Sequence, residues 1–337
     1  MVTVAVDANG ADLGPREVAA GAEQAAARGT KVLLFGPAAT IGTMPDGVEV
    51  IDAPVSIAKA PDPGVAVRST PEASIVQAAK AVADGRAQAL VSGGSTGSAL
   101  IAAFTYIKRS RGIHRPALAL PMPVPGKPPV LLLDVGFNAT CRPEHLVQFA
   151  HMGSAFSRAV LGVERPRVAL MSNGTEAIKG TPELVEVHDS LAGIGGTGLN
   201  FIGNIEGTQV MESIADVVVM DGFVGNVTLK LIEGVSSRTL RAIRDAAMSS
   251  TRAKLGGWLL SPAVRRLRAE IDPEGPGGAY MLGLRQLGVV AHGRFTRNGF
   301  ARAIEVAARG VDEDVVAKTR AALEQADALR PPVEIEP

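Results

Sequence analysis

Three glycine-bearing turns hold most of the chemistry this chain offers. Ser92, Gly93, Gly94, Ser95, Thr96 and Gly97 pack three glycines and three hydroxyls between an apolar run and a helical one. Glycine lets backbone approach a ligand, and the free N–H groups of a starting helix favour an anion. The pattern GxxxxGK[ST] is absent and no GxGxxG follows the first strand, which counts against a Walker nucleotide site and a Rossmann dinucleotide site. The turn reads as an anion cradle or as no more than a tight turn. Lys179 closes a similar loop, SNGTEAIKG, beside Gly180. A lysine there can neutralise a phosphate or a developing oxyanion. The alternative is a solvated lysine at a helix start, which the helix dipole disfavours unless an anion is near. In the third turn Gly222 and Gly225 precede Asn226, whose amide can donate without a charge cost or can simply cap the helix.

Other reactive side chains have weaker patterns. Asp7, Asp134 and Asp221 each end a strand, where a carboxylate can act as acid, base or metal ligand but more often caps the next helix. Asp7, Gly10, Asn138 and His292 complete the candidate phosphate- and substrate-binding set. No HExxH and no Cys/His spacing of a metal site occurs, so no metal and no cofactor are expected. Cys141 lies four residues before His145 across a loop-to-helix junction, but a lone cysteine is more often a small core residue. Ser95 lacks the GxSxG elbow of a hydrolase nucleophile.

These turns need a scaffold that sets loops at strand ends. Strands are expected at 3–6, 31–35, 48–52, 88–91, 117–120, 130–134, 167–171, 200–203, 216–220 and 288–291. A proline-rich turn is expected at 121–129, and helices follow most of the strands, the third turn's helix starting at Val227. Repeated strand–glycine-loop–helix units predict a three-layer α/β/α body around a mostly parallel sheet, where ligands bind at the carboxyl ends of strands. One catalytic body over residues 1–330 and a flexible tail at 331–337 are expected. The 337 residues suffice for a substantial core. A formal net charge of zero and 4% aromatics argue against nucleic acid. One cysteine excludes an intrachain disulfide, and neither a signal peptide nor a run of about 18 apolar residues is seen, so a soluble cytoplasmic protein is expected.

Residues 236–272 stand apart, with eight basic and three acidic side chains. Trp258, Leu259 and Leu260 sit in this polar setting, and Gly256, Gly257 and Pro262 suggest two helices meeting at an apolar tip. Apolar residues flanked by arginine suit an anionic membrane surface or a dimer interface, and both readings stay open.

In order along the chain, VDANGADLGP, SGGSTGSAL, LLDVGFNATCRPEHLVQFAHMGS, GTEAIKG, NFIGNIEG, ADVVVMDGFVGNVTLKLIEG and GGAYMLGL resemble the PlsX family of phosphate acyltransferases, over nearly the whole chain. The resemblance implies an isocitrate/isopropylmalate-dehydrogenase-like fold and transfer of a fatty acyl group from acyl carrier protein to inorganic phosphate. It implies a homodimer without metal or nucleotide, peripheral at the membrane, whose product passes to the membrane glycerol-3-phosphate acyltransferase. Lys179 and Asn226 become the leading catalytic positions by their match to the family's motifs. Two other readings compete: a metal- and NAD-dependent dehydrogenase of the same fold, and a non-catalytic membrane scaffold.

Overall fold

Valine, leucine and alanine dominate the strand segments, as expected of strands buried on both faces. A computed structural model describes residues 1–194 and 198–330; the tail expected at 331–337 lies outside the described residues. One sheet contains β1 (Thr3–Asp7), β2 (Lys31–Gly36), β3 (Val48–Asp52), β4 (Ala89–Ser92), β5 (Ala117–Val124) and β6 (Lys127–Leu133). It also contains β7 (Arg167–Met171), β8 (Asn200–Ile205), β9 (Val217–Val219), β10 (Ala279–Leu282) and β11 (Leu287–Val290). Their order is β3-β2-β1-β4-β11-β10-β5-β6-β9-β7-β8.

The helices are α1 (Pro15–Ala27), α2 (Ala38–Ile41), α3 (Pro63–Ser69), α4 (Ser74–Ala83), α5 (Thr96–Ala102) and α6 (Pro143–Val160). After them come α7 (Pro182–Gly193), α8 (Gly222–Met248), α9 (Thr251–Glu270), α10 (Arg297–Asp312) and α11 (Val315–Gln325). Alternation along each strand feeds two cores. Val4, Val6, Leu131, Leu133, Val217 and Val219 join α1, α6 and α10 on one face. Ala5, Val130, Leu132 and Val218 join α4 and α5 on the other. This is the expected α/β/α arrangement, and each fully buried Val or Leu contributes about 1.5–3 kcal/mol.

The antiparallel pairings β11–β10, β10–β5 and β5–β6 divide the sheet into two parallel sets. In one, β3, β2, β1, β4 and β11 run together; in the other, β6, β9, β7 and β8 do. The second set runs opposite to the first, so each set presents its own carboxyl edge.

Four expectations are corrected. The proline-rich turn expected over 121–129 shrinks to residues 125–126: β5 continues through Val124, β6 begins at Lys127, and Met122 and Val124 flank a register shift that accommodates the prolines. The sequence reading missed β10, whose short AYML run follows two glycines. The helix expected from Val227 begins at Gly222, because Asp221 caps it by accepting the Val224 N–H at 2.8 Å. The apolar tip is also misplaced. The bend between α8 and α9 falls at Ser249 and Ser250, while Gly256, Gly257 and Pro262 lie inside α9. Gly257 has another use, since a Cβ there would stand 2.7 Å from the Ala247 Cβ where the two helices pack.

Candidate active site

The first strand set carries a buried carboxylate. Asp7 ends β1 and is 3% exposed. It accepts hydrogen bonds from the hydroxyls of Ser74 (2.6 Å) and Ser92 (2.8 Å) and from the Asn9 N–H (3.2 Å). Burial pushes its pKa up to about 6, against the lowering effect of those three donors. Ser92 is thereby committed to Asp7, and Gly93 gives room to the Phe300 ring, 2.2 Å from where its Cβ would be. Gly10, at φ +92°, lets the first loop pass close to its neighbours, since a Cβ there would stand 2.5 Å from the Ala58 Cβ and 3.1 Å from the Gly94 Cα. The Gly94 N–H points to Ser92 Oγ, and Ser95 caps α5 through a long contact of 3.5 Å from the Ser98 N–H. Among the described residues the N–H groups of Ser95, Thr96 and Gly97 have no partner. His292, exposed beyond β11, accepts the Arg294 N–H and stacks on Phe295.

The second set holds the other candidates. Asp134 follows β6 with φ +65°, a left-handed conformation that is costly for a non-glycine residue. Its buried carboxylate fixes that bend by accepting from Phe137 N–H (2.7 Å), Asn138 N–H (2.9 Å) and the Asn138 amide (2.8 Å). Burial raises its pKa. Asn138 also donates to the Pro116 carbonyl, so its side chain braces the loop. Gly222 and Gly225 bring α8 against this loop: a Cβ would stand 2.7 Å from the Asn138 carbonyl oxygen at the first and 2.0 Å from that of Asp134 at the second. Their small size serves helix–loop contact. The Gly222 N–H is spent on the Asn138 carbonyl and that of Val224 on Asp221. Of this turn's amides, the Phe223 N–H alone lacks a partner among the described residues.

Asn226 therefore lies within α8 and does not cap it. Its amide reaches the Val135 carbonyl at 3.3 Å and stands beside Gly136. Lys179 belongs to the loop after β7. Because β9 lies between β6 and β7, all parallel, the loops bearing Asp134 and Lys179 and the start of α8 bearing Asn226 share one edge. Lys179 is exposed, has no carboxylate partner among the described residues, and lays its stem over Gly174. No hydrogen bond or ion pair among the described residues joins the two strand sets' loops.

Cys141 and His145 do not form a nucleophile–base pair. Burial pushes the Cys141 thiol up to about 12, aided by the negative charges of Asp134 and Asp221. His145 Nδ1 accepts the Arg142 N–H and closes the start of α6. His114, Glu144 and His145 bring ligand-type atoms within 4.8 Å, a cluster that sequence spacing hid. Glu144 in that cluster is already paired with Arg142. Ser74 and Asn204 were also missed; each acts across long sequence separations and carries no local motif.

A family model described as fatty acid synthesis protein matches residues 2–318. The phosphate acyltransferase of Moorella thermoacetica is 40% identical over 320 residues, covering 93% of each chain. That of Streptococcus sanguinis is 38% identical, covering 95% of this chain and 97% of the other. The chain belongs to this family. Its fold recurs in the EutD phosphotransacetylase of Staphylococcus aureus, with TM-score 0.55, 18% identity and coverage of 97% of this chain and 94% of that one. It recurs too in 4-hydroxythreonine-4-phosphate dehydrogenase from Klebsiella pneumoniae, with TM-score 0.52, 18% identity and 91% and 97% coverage. No described helix is long and apolar enough to cross a membrane.

Proposed function

We propose that this chain transfers a fatty acyl group from the thioester of acyl carrier protein to inorganic phosphate, yielding acyl-phosphate for phospholipid synthesis and the free carrier thiol. Membership of the family, and relatives named phosphate acyltransferases at about 40% identity, support an acyltransferase acting on phosphate. The observation that carries the site assignment is Lys179, an exposed cation without a carboxylate partner on the strand edge that also bears Asn226. The Ser95–Thr96–Gly97 amides suit an anion less well. They offer no cation, and the Asp7 carboxylate stands 3.3 Å from the place of a Gly94 Cβ, where its charge would repel a phosphate dianion.

Phosphate is itself the nucleophile. Its oxygen attacks the thioester carbonyl carbon, the C–O bond forms as the carbonyl oxygen gains charge, and collapse breaks the C–S bond and expels the thiolate. Lys179 offsets the dianion's charge and brings it to the carbonyl. In this reading the Asn226 amide and the Phe223 N–H donate to phosphate or to the oxyanion. No side chain needs acylating.

Residues 1–330 act as one catalytic body with the 236–272 arm attached. Trp258, Leu259 and Leu260 are 70%, 66% and 59% exposed on α9, and Leu231 and Val235 are exposed on α8. Such a display, interleaved with arginine, supports a homodimer and peripheral contact with anionic membrane. A cytoplasmic enzyme at the membrane surface would hand acyl-phosphate to the membrane glycerol-3-phosphate acyltransferase. The test is incubation with acyl carrier protein thioester and phosphate, followed by hydroxylamine. Hydroxamate that requires both substrates supports the reading; free thiol without phosphate, or no product at all, overturns it.

A further inference from the structure

The β7–β8 ladder contains one extra residue. Val168 pairs with Phe201 and Leu170 with Asn204, so Ile202 and Gly203 together oppose Ala169. Gly203, at φ +98°, makes this bulge possible. In a regular strand Asn204 would face opposite to Phe201. The extra residue instead puts Asn204 on the Phe201 and Leu170 face, and the residues just beyond follow: Ile205 packs with Met171 in the other core. Bulges beside active sites re-aim side chains in this way.

The redirected side chain meets the loop that bears Lys179. Asn204 is 6% exposed, and its amide donates to the Glu176 carbonyl at 2.9 Å. The same carbonyl accepts the Lys179 N–H at 3.0 Å. One buried side chain and the lysine's own backbone thus converge on a single oxygen, three residues before the lysine. The anchor is completed where the loop begins, by the Ser172 N–H donating to the Ile205 carbonyl. Asn204 Oδ1 and Ser172 Oγ are buried there without partners among the described residues, an expense that packing alone would have avoided with an apolar residue.

We propose that Asn204 is a positioning residue for the reaction, acting through Lys179 by fixing the turn at Glu176 from the β8 bulge. This rests on the reading of Lys179 as the phosphate-binding cation. The test combines Asn204→Ala with Lys179→Ala in a double-mutant cycle, measuring turnover and the KM of each substrate. Asn204→Ala is expected to lower kcat/KM for phosphate about tenfold or more, leaving the KM for acyl carrier protein thioester unchanged. The double variant is expected to be no slower than Lys179→Ala alone, since the same contribution cannot be lost twice. If Asn204→Ala does not fold, Asn204→Asp keeps the shape but as a carboxylate cannot donate to Glu176, and assayed above the pKa of its carboxyl should show the same loss. A wild-type rate in Asn204→Ala or Asn204→Asp, or losses that multiply in the double variant, overturns the proposal. A wild-type rate in Lys179→Ala overturns the Lys179 reading itself, and is seen separately in that single variant.

Discussion

A phosphate dianion beside a thioester faces charge repulsion and poor orientation, and single residues can relieve both. Removing one preorganised donor typically costs about 2.7–4 kcal/mol in the barrier. Lys179→Ala and Asn226→Ala are therefore each expected to cut turnover about 100-fold or more with the fold retained, as read by the hydroxylamine assay and circular dichroism. Cys141 should be dispensable: with its thiol pushed up to about 12, Cys141→Ala is expected to keep wild-type turnover, and iodoacetamide at neutral pH to leave the enzyme active. Asp7 gives a pH prediction. Its folded pKa, raised from 3.8 to about 6, means that the fold binds the proton more tightly than the unfolded chain does. Its contribution is thus present below about pH 4 and is lost as pH rises to about 6, on the order of 3 kcal/mol. Denaturation of the wild type against Asp7→Asn over that range should show this loss in the wild type alone. At this scale the sequence made Lys179 and Asn226 visible because each stands beside glycines, Lys179 next to Gly180 and Asn226 next to Gly225. It could not show that Ser92, Asn138 and Asp7 are turned inward, since their partners, Asp7, Pro116 and Ser74 in turn, are chosen by tertiary packing.

Elements decide which backbone groups remain for a ligand. The glycines of Gly222–Asn226 read as a ligand turn, yet they lie in the first turn of α8 and spend their freedom on the Asp134–Asn138 bend. Gly225→Ala tests this. In an exposed helix it would stabilise by about 1 kcal/mol, but here the added carbon falls 2.0 Å from the Asp134 carbonyl oxygen, so a lower melting temperature and reduced activity are expected. Parallel strands such as β9 (VVV) and β7 (RVALM) were legible from apolar runs alone. The second half of β5, from Pro121 to Val124, and all of β10 were obscured by prolines and glycines, which the local pattern assigns to turns and which pairing in the sheet overrides. The β8 bulge was equally hidden, because only register against β7 reveals the extra residue.

For the whole molecule, the antiparallel centre of the sheet gives each parallel set its own loop edge, and the reacting groups are assigned to the edge of β6, β9 and β7. The arm of α8 and α9 was expected from composition, whereas its bend at Ser249 and Ser250 was not, since Gly256, Gly257 and Pro262 looked like stronger breakers. Replacing Trp258 and Leu259 with aspartate should weaken self-association in sedimentation or flotation with anionic vesicles, with turnover on soluble substrates retained where the arm serves the membrane. The central claim is that phosphate attacks the acyl group directly. Rapid acid quench of a single turnover with labelled acyl carrier protein thioester tests it: label should pass from carrier to acyl-phosphate with none on the enzyme. Label caught covalently on Cys141 or on any serine would contradict it.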